Sequence, residues 1–413
     1  MSDSPTSAAP IILIPTADGA RIAVKHRPNP DAPPVIFVHG LAVNADLWDL
    51  PEIRGADFHY RSLASILHDR GYDVWLMNLR GHGGPRMLSE PAPGQQDWCI
   101  DHFILDDLPA VVDHVHHETR RRPFIIAASM GAMTLAGYAQ GARRTGAGGD
   151  LRITADPERA RRRQALLAGA VFAEFPAALR WPASLYDAQG RLRWDALLRD
   201  WWRTDGGANF PFEMLSRWGW LQALVSAAGG VPLDWLRHSH PDQPWYANLP
   251  APLAEACRRL ERRAVQAMLN WAGTFTGATH HRAEVMLQGR RYVMDHMKAG
   301  VLEQLAACVR ARAFISHLGS PPHVYSEHYD ALTLPLLVVQ GGRDRIASPE
   351  VTRAAFFDRV ASADKTFLFD PDVAHGEVEA APVACERLYP PIRHWLDERA
   401  ERGAESPSPG GAG

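Results

Sequence analysis

The sequence predicts a doubly wound α/β fold with a mostly parallel sheet, interrupted by a long helical insertion. Three observations carry this. Short apolar runs alternate with helical segments over the first 175 residues, the rhythm of parallel βαβ units. Between residues 176 and 330 strand-like runs vanish and helical periodicity takes over. The α/β rhythm then returns at Leu334. The expected organisation is a first core segment over 1–175, a Trp-rich helical cap or lid over 176–330, a second core segment over 331–402 and a disordered tail over 403–413.

The elements follow in order. Ile11–Pro15 and Arg21–His26 read as a hairpin turning at Asp18-Gly19. Val35–Val38 is wholly apolar, as in a sheet covered on both faces. A helical pattern over Arg61–Arg70 is stopped by Gly71, and Asp73–Met77 is the next strand. Asp106–Glu118 reads as a helix, Pro123–Ala128 as a buried strand and Gly131–Gln140 as a small-residue helix. Gly141 to Arg163 reads as a solvated loop leading into a basic helix. Its Arg161-Arg162-Arg163 cluster is taken as a solvated helix end rather than an anion contact. Ala165–Phe172 is the following strand. After the insertion come a strand at Leu334–Gln340, a helix at Val351–Val360, a strand at Thr366–Phe369 and a last helix at Ala384–Arg399.

Composition narrows the function classes. With 46% hydrophobic and 22% charged residues, the chain is neither disordered nor a disulfide scaffold. A net charge of -3 supplies no bulk field for nucleic acid, so none is expected as a partner. Of 44 basic residues only Lys25, Lys298 and Lys365 are lysines, which we read as codon bias. Cys99, Cys257, Cys308 and Cys385 lack the CxxC spacing of zinc or redox sites. Met1–Pro10 carries no basic or apolar signal region, and no apolar run approaches the ~18–20 residues of a membrane span. A cytoplasmic protein without a transmembrane segment is the expectation. The histidines at 114, 116 and 117, and the pairs at 238/240 and 280/281, read as solvated or capping. With no P-loop and no G-x-G-x-x-G after a strand, neither metal nor organic cofactor is expected.

Chemistry concentrates at four places. Phe124 to Met133 is a buried strand, then Ser129 between small residues, then a helix. Such a strand-to-helix turn pushes a serine into a cleft, and Ala127 and Gly131, two before and two after it, are small enough to allow the turn. The competing reading is an ordinary N-cap serine. The helix start offers the Met130 amide to a developing oxyanion. Val35–Val38 ends in His39-Gly40-Leu41, which suits the loop supplying a second donor, the Leu41 amide. His39 reads as orienting this oxyanion loop rather than as catalytic, and Gly40 permits close backbone approach. The strand ending at Gln340 leads through Gly341-Gly342-Arg343 to Asp344, a carboxylate able to hold an imidazole. His375 follows the last strand, where it can take the serine proton and return it. Taken singly, Asp344 reads equally as a turn cap and His375 as a surface residue. The order Ser129, Asp344, His375, each at a strand end, favours a serine triad. Glu174, after the strand following the serine helix, is the rival acid.

These motifs resemble the α/β-hydrolase superfamily, and within it the acid lipases of the gastric and lysosomal kind. The likeness rests on His39-Gly40-Leu41-Ala42 with Trp48, on Gly71-Tyr72-Asp73-Val74-Trp75-Leu76-Met77-Asn78-Leu79-Arg80-Gly81, and on Asp107-Leu108-Pro109-Ala110. It covers residues 33–140 well and 333–380 in outline. Those lipases carry G-H-S-x-G where this chain has Ala127-Ala128-Ser129-Met130-Gly131. The resemblance implies an eight-stranded sheet with a large helical cap inserted before the strand that carries the catalytic Asp344. It implies Ser129 as nucleophile, Asp344 and His375 as its partners, and Leu41 and Met130 as oxyanion donors. The expected activity is serine-dependent hydrolysis of carboxylic esters. Substrates are expected to be small molecules or lipids with bulky or hydrophobic acyl groups, with peripheral lipid contact as an accompanying expectation. Trp201-Trp202 and Trp218/Trp220 read either as pocket lining or as the cap's own core. Acyl transfer or polyester synthase or depolymerase chemistry on the same triad is the alternative, and a non-catalytic binding protein of this fold is a further one.

Overall fold

A computed structural model describes residues 9–84, 87–180, 187–189, 191, 193, 219–231 and 245–405. Its centre is an eight-stranded sheet: β1 Ile11–Pro15, β2 Arg21–Arg27, β3 Pro34–Val38, β4 Asp73–Met77, β5 Phe124–Ala128, β6 Gly169–Ala173, β7 Leu336–Gly341 and β8 Lys365–Asp370. Their spatial order is β1-β2-β4-β3-β5-β6-β7-β8. β1 pairs antiparallel with β2, and β2 antiparallel with β4; every later pairing is parallel. The opening hairpin turns where expected, with Gly19 at φ +92° and Thr16 N donating to Ala20 O. β3 to β7 are buried along their whole length, which is why their sequences are continuous apolar runs rather than alternating ones. The chain reverses its winding between β3 and β5. Loops leaving the carboxyl ends of these two strands therefore flank one crevice, the usual place for a site in an open sheet.

Helices cover both faces. Ser62 caps Leu63–Asp69 by accepting from Ser65 N, and Gly71 at φ +88° ends the turn. The helix expected from Asp106 begins earlier. Ile100–His102 runs through a widened π turn over Phe103–Asp107 into Leu108–Thr119. That stretch is fixed by Arg80, whose fully buried guanidinium donates to Asp107 Oδ1 at 2.6 and 2.9 Å and to Asp18 Oδ2 at 2.6 Å.

Other expectations need correction. The segment after Gly141 is not all solvated loop: Arg143–Thr145 pairs antiparallel with Arg152–Thr154 before the helix Pro157–Ala165 begins. Asp156 caps that helix through Arg159 N. Its last turn occupies Ala165, so β6 starts only at Gly169. Arg163 is buried rather than solvated. The last helix is two pieces, Pro382–Arg387 and Tyr389–Glu405, and its backbone runs past the expected start of the tail at 403. Within 176–330 the described helices are Gly219–Ala227, Ala251–Thr276, Ala283–Tyr292 and Ala299–Ala311. Strands are not absent there, since Gly230–Val231 pairs with Met297–Lys298. Trp201, Trp202 and Trp218 lie outside the described residues, and Trp220 is 66% exposed. No helix among the described residues is long and apolar enough to cross a membrane.

Arg80→Ala leaves two buried or half-buried carboxylates without their cation. Loss of one partner from a buried ion pair costs about 3–5 kcal/mol. The variant is expected to unfold at a clearly lower urea midpoint than wild type, and an unchanged midpoint would remove Arg80 from its structural role.

Candidate active site

The site begins with an unfavourable backbone. Ser129, between β5 and the helix Met130–Ala139, has φ +52° and ψ -118°, a region that non-glycine residues avoid. Three contacts hold it there. Ser129 N donates to Ala173 O of β6 at 3.0 Å, and its own carbonyl accepts from Met133 N at 3.1 Å. Gly131 packs the helix start onto β3 so closely that a Cβ would stand 2.7 Å from both Val38 O and His39 O. The small residue on the other side, Ala127, lies in the sheet, in register with Val38 and Phe172.

The loop after β3 runs beside this turn. A Cβ on Gly40 would meet Ser129 Cβ at 3.2 Å. His39 is fully buried. Its Nε2 accepts from Leu79 N at 3.1 Å, so its proton sits on Nδ1 and is donated to Gly40 O at 2.8 Å. Burial and the neighbouring His82 ring hold its pKa down at about 3. A permanently neutral ring clamped at both nitrogens orients the loop and is unavailable as a base. The Leu41 amide follows on this loop. Across from it Met130, the first residue of its helix, has no intrahelical acceptor for its N–H.

The loops after β7 and β8 close on each other through two glycines. A Cβ on Gly341 would stand 2.2 Å from Val373 O, and one on Gly342 2.7 Å from Pro371. This brings His375 to Asp344. His375 Nδ1 lies 3.0 and 3.1 Å from the Asp344 oxygens, and Nε2 lies 3.0 Å from Ser129 Oγ. Asp344 is fully buried and further accepts from Ile346 N, Ala347 N and Gln340 Nε2 at 2.8, 2.7 and 3.1 Å. Burial pulls the His375 pKa down, while the Asp344 charge and hydrogen bond raise it; the net shift is upward from 6.5.

Glu174 is close but plays another part. Its Oε2 is 4.0 Å from His375 Nδ1, beyond hydrogen-bond reach, and accepts instead from Gly376 N at 2.7 Å. Oε1 accepts from Val378 N at 3.0 Å. Three further carboxylates escaped the sequence reading. Glu377 accepts from Ala374 N at 2.8 Å and from Thr279 N and His280 N at 2.6 and 2.5 Å. Glu379 hydrogen-bonds Glu174, and burial raises both their pKa values. Asp295 Oδ2 accepts from Gly83 N, and Asp295 N donates to Ala42 O, both at 2.8 Å. No local motif announces any of them.

Among the described residues, no group of three His, Cys, Asp or Glu side chains converges as metal ligands would. A cavity of about 700 Å³ lies between residues 53–58 and the helices Ala251–Thr276 and Ala283–Tyr292, and none of Ser129, Asp344 and His375 lines it.

The strain at Ser129 is testable apart from any reaction. Ser129→Gly relieves the left-handed backbone but gains unfolded-state entropy, for a net stabilisation of about 1 kcal/mol. Ser129→Ala keeps the strain. The glycine variant is expected to melt above both wild type and the alanine variant, and a lower midpoint would show that the turn is unstrained.

Comparison with known proteins fits this architecture. Residues 33–143 match the sequence profile of the alpha/beta hydrolase fold. Triacylglycerol lipase 2 of Arabidopsis thaliana is 36% identical over 109 residues, 26% of this chain and 24% of that protein. Gastric triacylglycerol lipase of Homo sapiens is 36% identical over 104 residues, 24% of each chain. The matched region thus spans about a quarter of the length of these relatives. A solved structure of DcsB in complex with its substrate analogue superposes with a TM-score of 0.50 at 15% identity, covering 95% of this chain and 99% of that one. The chain has the α/β-hydrolase fold, and about a quarter of its length is similar in sequence to triacylglycerol lipases.

Proposed function

We propose that the protein is a serine-dependent hydrolase of carboxylic esters. The observation that carries this is the unbroken hydrogen-bond chain from Ser129 Oγ through His375 to Asp344. Ser129 attacks the ester carbonyl as His375 Nε2 takes its proton. Asp344 holds the Nδ1–H tautomer and stabilises the imidazolium that forms. The amides of Leu41 and Met130 receive the oxyanion, each worth ~3 kcal/mol in comparable sites. His375 then protonates the leaving alcohol. Water, deprotonated by the same nitrogen, cleaves the acyl-enzyme. The lipase names of the relatives that match about a quarter of the chain favour lipid-like esters. In this reading the insertion covers the site and favours bulky acyl groups. Its support is that residues 279–280 and 295 hydrogen-bond to Glu377, beside His375, and to the loop after β3.

The test is p-nitrophenyl ester hydrolysis across acyl lengths. Rates are expected to rise from two-carbon to eight-carbon esters. Ser129→Ala is expected to lose on the order of 10⁴-fold or more in kcat with its fold intact; full turnover in that variant ends the proposal. The base must be neutral, and Asp344 favours its charged form. Activity should therefore rise with pH through a midpoint above 6.5, and Asp344→Asn should move that midpoint down while lowering the rate. A midpoint that stays put would assign the titration to another group.

A further inference from the structure

A second cavity, about 400 Å³, lies among three helices remote from the triad. The helix Pro157–Ala165 turns Arg159, Arg162 and Arg163 toward it at i, i+3 and i+4 spacing, with Leu166 one turn further on. Tyr138 enters from the helix Met130–Ala139 and Asp113 from Leu108–Thr119. Tyr138 stands nine positions from Ser129, about 13 Å along the helix at ~1.5 Å per residue.

Two buried polar atoms in its wall lack partners. Arg163 is 6% exposed. Its guanidinium lies 4.6 Å from the centre of the Tyr138 ring, and Nη1 donates to Tyr138 O and Ala142 O at 2.9 and 3.2 Å. Nη2 has no acceptor, and among the described residues no carboxylate forms an ion pair with Arg163. The Tyr138 hydroxyl, on a side chain 1% exposed, is also unpartnered. Burial lowers the Arg163 pKa only to about 10 and raises that of Tyr138, so one stays a cation and the other a donor at neutral pH. A buried cation with no carboxylate in direct contact, beside an orphaned hydroxyl, is costly unless something completes it. Arg162 is already ion-paired with Glu158, and Asp113 opposes part of the charge. Arg159 and Arg163 still leave the wall net positive.

We propose that this cavity binds a small phosphorylated ligand, its phosphoryl oxygens accepting from Arg163 Nη2, the Arg159 guanidinium and the Tyr138 hydroxyl. A phosphoryl group offers three acceptor oxygens, matching three donors from two guanidinium groups and one phenol. The cavity exceeds the size of phosphate alone and has Leu166 in its wall for an organic portion.

Isothermal titration of the full chain with inorganic phosphate, and separately with glycerol 3-phosphate, tests this against sodium chloride at equal ionic strength. Saturable binding is expected for at least one probe. Tyr138→Phe, which removes one oxygen and keeps the ring beneath Arg163, should weaken it about tenfold, as should Arg159→Gln on the half-exposed helix face. Ester hydrolysis should be unchanged in both. Tighter binding of the glycerol ester identifies an organic phosphate as the natural source. Equal binding identifies free phosphate, and either supports the site. No saturable binding of either probe, or affinities equal in wild type and both variants, overturns it.

Discussion

The contact on which the site depends is the closeness of the Met130–Ala139 helix start to the end of β3. At Gly131 two carbonyl oxygens stand where a side chain would begin. That approach forces the chain from β5 into its helix within one residue, and Ser129 absorbs the turn with a left-handed backbone. It also sets the β3 loop beside the serine, with Gly40 against the Ser129 side chain. A looser junction would relax the serine and draw the β3 loop away from it.

The opposite wall is held by acids rather than by packing alone. Asp344 accepts from two backbone amides and one carboxamide and holds the imidazole, so its buried oxygens are fully partnered. Glu174 and Glu379 are different. A hydrogen bond between two carboxyl groups requires a proton, and burial favours keeping it. The pair therefore grips the backbone at Gly376 and Val378 without placing a second full negative charge beside His375. Two ionised acids there would hold the imidazole in its charged form, where it could not act as a base.

Much of this was legible in the sequence because the relevant signals are local. β3 and β5 are unbroken apolar runs and β7 nearly so, and each leads into a loop or turn carrying a residue of distinctive chemistry: His39, Ser129, Asp344. The roles that stayed hidden belong to residues meeting partners far along the chain. Glu377 binds amides 98 and 97 positions away, and Asp295 one at 212. Arg143–Thr145 and Arg152–Thr154 escaped because strands this polar and this short carry no alternation to read. Arg163 sits in an arginine-rich stretch that looks solvated throughout. Only the packing of a neighbouring helix separates it from Arg161 and Arg162, which remain exposed.

The insertion meets the core at many points, and one group of them lies beside the site. Thr279 and His280 satisfy Glu377, and Asp295 ties down Ala42 and Gly83. The segment from 277 to 298 is thus shared property of both parts. A change in this stretch is therefore felt in the loops after β3 and β8 as well as in the insertion. A foreign insertion grafted onto the sheet would have to reproduce these hydrogen bonds together with the side chains that residues 301–329 bury in the core.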